Sequence, residues 1–144
     1  MGKYILFFLL SISFFSFSGP FAELSVTIYV KNITNATAPV RIALYRSTDK
    51  FPKENGYYKA FVFTPNKTGE VAFTLNNIPP GDYAFAVYQD INNNGKMGTN
   101  IFGYPKEPFC FSNNVKPVFS APDFEECKIS VNEKNRNIYV SLIK

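Results

Sequence analysis

The sequence predicts an all-β protein: a single antiparallel β-sandwich of about seven strands with a long ordered insertion, preceded by a signal peptide. Apolar residues alternate with polar ones in short runs, and turn signals separate these runs at hairpin-like intervals. After the N-terminal segment, no stretch keeps the 3.6-residue apolar period of a helix for long. The length of 144 residues suits one domain.

The N-terminal segment has the layout of a secretory signal peptide. Lys3 precedes an apolar run from Tyr4 to Phe17, and small residues follow it up to Ala22. We therefore predict a signal peptide over residues 1–22 and the β-sandwich domain over residues 23–144. Cleavage after Ser18 and cleavage after Ala22 are both considered, and an uncleaved anchor is the alternative. The apolar run is short, so we expect no stable membrane span after cleavage, and a periplasmic or secreted protein.

Each predicted strand follows from a period of two residues. From Leu24 to Val30, for example, every second residue is apolar, which buries one face of the strand. Turn-forming Asn, Gly and Pro residues separate the runs. The predicted strands cover residues 24–31, 40–45, 59–64, 71–75, 83–87, 124–131 and 137–143.

Charge and composition argue against two classes of function. The net charge is +4, and the basic residues are scattered rather than gathered in a stripe, so we expect no nucleic-acid partner. The chain has no His, which removes the usual general base and every Ser–His or Cys–His pair. We therefore predict that the protein is not an enzyme.

The two cysteines, Cys110 and Cys127, fit an exported chain with one disulfide bond. Two buried thiols that never meet are the alternative. A nucleophilic cysteine is disfavoured, because the sequence offers no His to activate it.

A long insertion over residues 90–123 separates two predicted strands, and loops of this length are usually functional. It begins with DINNNGK, which matches the first half of a calcium-binding loop. Gly98 and Ile101 stand where the second half requires oxygen ligands. A weak calcium site and a purely structural turn rich in Asn therefore both remain open. The candidate cation ligands are the side chains of Asp90, Asn92 and Asn94 and the main-chain carbonyl of Lys96, and no other metal or cofactor is expected.

The rest of the insertion is rich in aromatic residues beside Gly and Pro. These rings form either a binding patch for a partner or a satellite core that holds the insertion on the sandwich. The candidate patch consists of Phe102, Tyr104, Phe109, Phe111, Asn113 and Asn114.

The segment NNIPPGDYAFAVYQDINNNGKMGTNIFGYPKEPFCFSNN, with the residues that follow to Phe124, resembles the bacterial "domain of unknown function 2141" family. This resemblance implies an exported single-domain β-sandwich, similar to prealbumin-like or carboxypeptidase-regulatory-like modules, with no established activity. Two departures matter. Gly98 replaces a usual acid, which weakens the calcium interpretation. Cys110 and Cys127 replace usual small residues, which favours the disulfide.

These features predict an exported envelope module with a non-catalytic binding or structural role through the 90–123 insertion. Its partner would be an unknown envelope protein or a glycan. One alternative is a carrier of a small apolar ligand inside the sandwich. The other is a carboxylate-dependent hydrolase, which would require two acids facing each other across a groove. The candidate acids are Asp90, Glu107, Asp123, Glu125 and Glu126.

Overall fold

Eight strands build two facing sheets in the computed structural model, which describes residues 22–144. The strands are β1 (Leu24–Ile33), β2 (Val40–Tyr45), β3 (Lys59–Phe63), β4 (Gly69–Ile78), β5 (Gly81–Gln89), β6 (Phe109–Phe111), β7 (Ile129–Val131) and β8 (Asn137–Ser141). One helical turn, α1 (Phe124–Cys127), precedes β7. The predicted β-sandwich is therefore confirmed.

The two sheets differ in size and in strand direction. The smaller sheet has the order β4-β1-β8, and the larger has the order β3-β2-β5-β6, with β7 paired to the first residues of β5. All pairs are antiparallel except β1 with β8, which run parallel. The parallel pair is possible because β1 is the first and β8 the last strand of the described residues, so no hairpin has to join them.

The core lies between the sheets and follows the alternation in the sequence. Val26, Ile28 and Val30 of β1 are fully buried and belong to the same cluster as Ile42 of β2 and Phe85 of β5. Because successive strand residues point to opposite faces, the intervening residues form the outer faces of the two sheets. The interior of the sandwich is thus filled by side chains.

The predicted strand over residues 124–131 is wrong in its first half. Residues 124–127 form the helical turn α1, and only Ile129–Val131 is a strand. The side chain of Glu126 accepts a hydrogen bond from the Asp123 N–H at 2.8 Å. An acid at the helix start with Glu three residues later is a capping pattern, and it favours a helical turn from Phe124 rather than a strand.

The insertion contributes a strand that the alternation did not reveal. β6 pairs with β5 at the edge of the larger sheet, and all three of its residues are buried. A strand buried on both faces shows no polar alternation, so it cannot be recognised by a period of two.

The disulfide prediction is not supported, because Cys110 and Cys127 are free thiols in the structure. Cys110 points into the core between the sheets. Cys127 packs instead with Phe109 and Phe111 in a second cluster. Since neighbours on a strand point to opposite faces, Cys110 faces away from the cluster that holds Cys127. The alternative of two buried thiols describes the observed packing.

The predicted signal peptide lies outside the described residues, apart from Ala22. Across residues 22–144 there is no helix with the length and apolar character needed to cross a membrane.

Candidate functional site

The insertion folds back over the outer face of the larger sheet. Phe109 and Phe111 are buried there, and Tyr88 of β5 and Met97 of the insertion pack against them. Ring contacts link Phe109 to Tyr104 with centroids 5.6 Å apart and to Phe111 at 5.8 Å. This second cluster fixes the insertion to the sheet, as predicted for a satellite core.

The turn at Asp90 is built around a carboxylate that is fully buried. Asp90 Oδ2 accepts hydrogen bonds from Arg41 Nε at 2.8 Å and from the Gly95 N–H at 2.9 Å. Asp90 Oδ1 accepts the Asn94 N–H at 3.1 Å. Asn93 and Gly95 adopt φ values of 51° and 80°, in the left-handed region that Asn and Gly tolerate. Both carboxylate oxygens are therefore engaged by the protein's own donors.

These donors keep Asp90 ionised. Burial by itself raises the pKa of Asp90, but the hydrogen bonds from Arg41, Gly95 and Asn94 outweigh it, so the pKa lies below its ordinary value. The guanidinium of Arg41 supplies the compensating positive charge.

A second buried carboxylate closes the base of the insertion. Glu107 is 6% exposed, and its two oxygens accept the N–H groups of Ile91 at 3.1 Å and of Gly98 at 3.3 Å. Glu107 thus joins the two ends of the loop that follows Asp90. Its position, buried and occupied by backbone donors, suits a structural role.

The side chains of the loop do not fit a calcium ion. Asn92 Oδ1 accepts the Asn94 N–H, and Asn94 Oδ1 accepts the Lys96 N–H, so the ligand oxygens are used within the turn. Arg41 places its positive charge against Asp90, where a cation would need the carboxylate. Within the described part of the chain, no group of three acidic or Cys residues is arranged to hold a metal.

A groove of about 700 Å³ lies beside this turn, on the outer face of the larger sheet. Its floor is a row of three alanines from adjacent strands, since Ala43 of β2 is paired with Ala60 of β3 and with Ala86 of β5. An alanine fills little of the space above the sheet. The neighbouring β2 residues on the same face, Arg41 and Tyr45, have much larger side chains. The groove therefore exists because small residues are aligned across three strands.

Aromatic and aliphatic side chains form the walls of the groove. The insertion supplies Phe102, Val118 and Phe119, which are 87%, 80% and 102% exposed. Val62 of β3 and Tyr57 of the loop before β3 are also exposed at the groove. Large apolar side chains gathered in this way are uncommon on a protein surface and mark binding sites.

Two tyrosines of the groove wall are neutral at physiological pH. Burial is the main cause that raises the pKa of Tyr45 and of Tyr88 to about 12. The Tyr45 hydroxyl donates to the Lys53 carbonyl at 3.0 Å, which fixes the loop that borders one end of the groove. The groove thus offers ring surface with few charges.

The sequence profile of a bacterial family described as "Uncharacterized protein conserved in bacteria (DUF2141)" matches residues 28–139. The chain belongs to this family. No curated protein and no solved structure gives a significant match. Membership confirms the resemblance noted in the sequence, and the likeness to prealbumin-like or carboxypeptidase-regulatory-like modules stays a prediction.

The predicted binding patch of this DUF2141 member divides into three parts. Phe102 and Tyr104 line the groove with exposed rings, and Phe109 and Phe111 are buried beneath it. Asn113 and Asn114 lie elsewhere. The Asn113 side chain donates to the carbonyls of Glu126 and Lys128, and the Asn114 side chain bonds the backbone of β8 at Tyr139 and Ser141. These two asparagines connect backbone segments.

The acids considered for a hydrolase are not assembled in the groove. Asp90 and Glu107 are buried within the turn, and the groove walls include one carboxylate, Glu54, which the sequence did not single out. Arg41 and the alanine floor were also missed. The signal for the alanine floor was small residues at outward strand positions, and strand register is needed to align those residues.

Proposed function

We propose that this protein is an exported, non-catalytic binding module of the bacterial envelope, and that its groove binds a small apolar ligand against the aromatic rings of its walls. The observation that carries the proposal is the alanine-floored groove with exposed aromatic walls. Its volume of about 700 Å³ lies within the range of small-molecule sites. The apolar N-terminal run with Lys3 before it supports export.

Two observations support binding rather than catalysis. The sequence has no His, and the groove walls carry a single carboxylate, at Glu54. A carboxylate-dependent hydrolase needs two acids on opposite sides of its substrate. If the protein carries a small apolar ligand, we place that ligand in the groove on the outer face of the larger sheet, because side chains fill the interior of the sandwich.

A second candidate is a role in binding an envelope protein or a glycan. The exposed rings of Phe102 and Phe119 at the edge of the groove favour it, since amphipathic or aromatic surface of this kind is enriched at interfaces. A small ligand would bind inside the groove, whereas a protein or glycan would contact the exposed rings at its edge.

Titration with phenylnaphthylamine, a neutral aromatic probe that fluoresces in apolar sites, tests the proposal. Wild-type protein should bind it with saturation, and Ala43→Leu should weaken binding at least tenfold, because the larger side chain fills the floor. Ala72→Leu is the matched control. Ala72 is an exposed β4 residue opposite Tyr29 in the smaller sheet, outside the groove. Equal probe binding in Ala43→Leu and wild type would contradict the proposal.

A further inference from the structure

We propose that the groove selects ligands that carry an anionic head group, and that Arg41 receives this group. The inference rests on the proposed function of the groove and names the chemical class of its ligand: an aromatic or aliphatic body ending in a carboxylate, sulfonate or similar anion. The charged side chains in the groove walls are Arg41 and Glu54.

The buried carboxylate of Asp90 fixes the orientation of the Arg41 side chain. Its Nε donates to Asp90 Oδ2 at 2.8 Å, and that carboxylate is fully buried and fixed by the N–H groups of Gly95 and Asn94. The terminal guanidinium also lies beside the turn, since a Cβ on Gly95 would meet Arg41 Nη2 at 3.5 Å. A guanidinium held in this way is preorganised, so it loses little freedom on binding an anion.

The terminal nitrogens of Arg41 keep donors for a ligand. A guanidinium has five N–H donors, and among the described residues the Nε–H is the one that finds a protein acceptor. The side chain is 27% exposed, and no buried side-chain nitrogen in residues 22–144 lacks a partner, so the terminal nitrogens reach solvent in the groove. Because Arg41 and Asp90 together carry no net charge, a ligand anion would be held by hydrogen bonds from these terminal nitrogens rather than by an excess of positive charge.

The position of Arg41 sets the direction of the ligand. Along β2 the groove runs from Arg41 over Ala43 to Tyr45, about 13 Å for four strand residues. The loop with Glu54 and Tyr57 borders the Tyr45 end, since the Tyr45 hydroxyl bonds the Lys53 carbonyl. The terminal N–H groups of Arg41 would hold an anion at one end of the groove, and Glu54 would repel it at the other, so the apolar body lies over the alanine floor.

Two probes with the same ring system separate this inference from the proposed function. Anilinonaphthalene sulfonate carries an anionic group, and phenylnaphthylamine is neutral. We expect the double variant Arg41→Gln/Asp90→Asn to weaken sulfonate binding about tenfold more than it weakens binding of the neutral probe, the difference expected for a charged hydrogen bond. Replacing both partners avoids a buried unpaired charge. Lys31→Gln/Glu70→Gln, which removes an exposed ion pair on the smaller sheet, is the matched control and should change neither probe.

A ligand-side comparison uses wild-type protein alone and covers the case in which the double variant fails to fold. Dodecanoate should displace phenylnaphthylamine at a lower concentration than dodecanol. Equal displacement by the two, or equal changes in affinity for the two probes in a folded Arg41→Gln/Asp90→Asn variant, would overturn the anion inference and leave the groove as a neutral site. Failure of phenylnaphthylamine to bind wild type would overturn the proposed function itself.

Discussion

The ion pair of Arg41 and Asp90 connects β2 to the start of the insertion. Asp90 has no exposed surface, and its three donors come from Arg41, Asn94 and Gly95. An ionised carboxylate is stable in such a position only when its charge is paired and its oxygens are bonded. The local pattern of Asn and Gly predicted the turn, but Arg41 is distant in sequence and only the fold brings it to Asp90.

We expect Asp90→Asn to lower the free energy of unfolding by about 2 kcal/mol, because it leaves Arg41 without its counter-charge and sets an amide against backbone donors. Glu70→Gln is the control, since Glu70 pairs with Lys31 on the exposed face of the smaller sheet and should cost less than about 0.5 kcal/mol. Chemical denaturation of both variants measures the difference. Equal losses would show that the buried pair contributes no more than the exposed one.

The same carboxylate predicts a dependence on pH. Because the pKa of Asp90 is lowered in the folded protein, its stabilising contribution is present above the unfolded pKa of about 4 and is lost as the pH falls through the folded value. The stability difference between wild type and Asp90→Asn should therefore shrink below about pH 4. Denaturation curves from pH 7 to pH 2 measure it, and a difference that stays constant at low pH would exclude this role.

The insertion combines a buried strand, β6, with exposed loop residues. Phe109 is 2% exposed within the second cluster, whereas Phe102 is 87% exposed at the groove. The prediction from the sequence placed both rings in one binding patch, because residue type alone does not distinguish a buried strand residue from an exposed loop residue. Pairing of β6 with β5 makes that distinction.

The two phenylalanines should therefore respond differently to truncation. We expect Phe109→Ala to destabilise the fold by about 3–4 kcal/mol through loss of buried contacts. Phe102→Ala should leave the melting temperature nearly unchanged and weaken binding of phenylnaphthylamine. Thermal melts and probe titrations on both variants provide the comparison. A stable Phe109→Ala protein, or unaltered binding in Phe102→Ala, would mean that these roles are misassigned.

The two cysteines lie on opposite sides of the larger sheet, Cys110 in β6 and Cys127 at the end of α1. Burial raises the pKa of the Cys110 thiol and raises the pKa of Cys127 to about 12, so both thiols should resist alkylation in the native protein. In denaturant without reductant, both should react, and the intact mass should rise by two alkyl groups. A mass that rises only after reduction would show a disulfide bond. That result would contradict the observed packing, in which Cys110 and Cys127 lie in separate clusters on opposite faces of the larger sheet.

The β-sandwich could be predicted from the sequence because the apolar alternation from Leu24 onward and the turn signals agree with each other. The groove could not be predicted. Ala43, Ala60 and Ala86 come from three separate strands, and only register aligns them. The fold thus follows from local pattern, whereas the candidate site depends on which strands become neighbours.

Methyl NMR of alanine-labelled protein with phenylnaphthylamine tests whether a ligand binds over the alanine floor. We expect intermolecular nuclear Overhauser effects from the probe to the methyl groups of Ala43, Ala60 and Ala86, and none to Ala72 on the smaller sheet in the same sample. Contacts to Ala72 without contacts to the floor methyls, or no contacts at saturating probe, would contradict it.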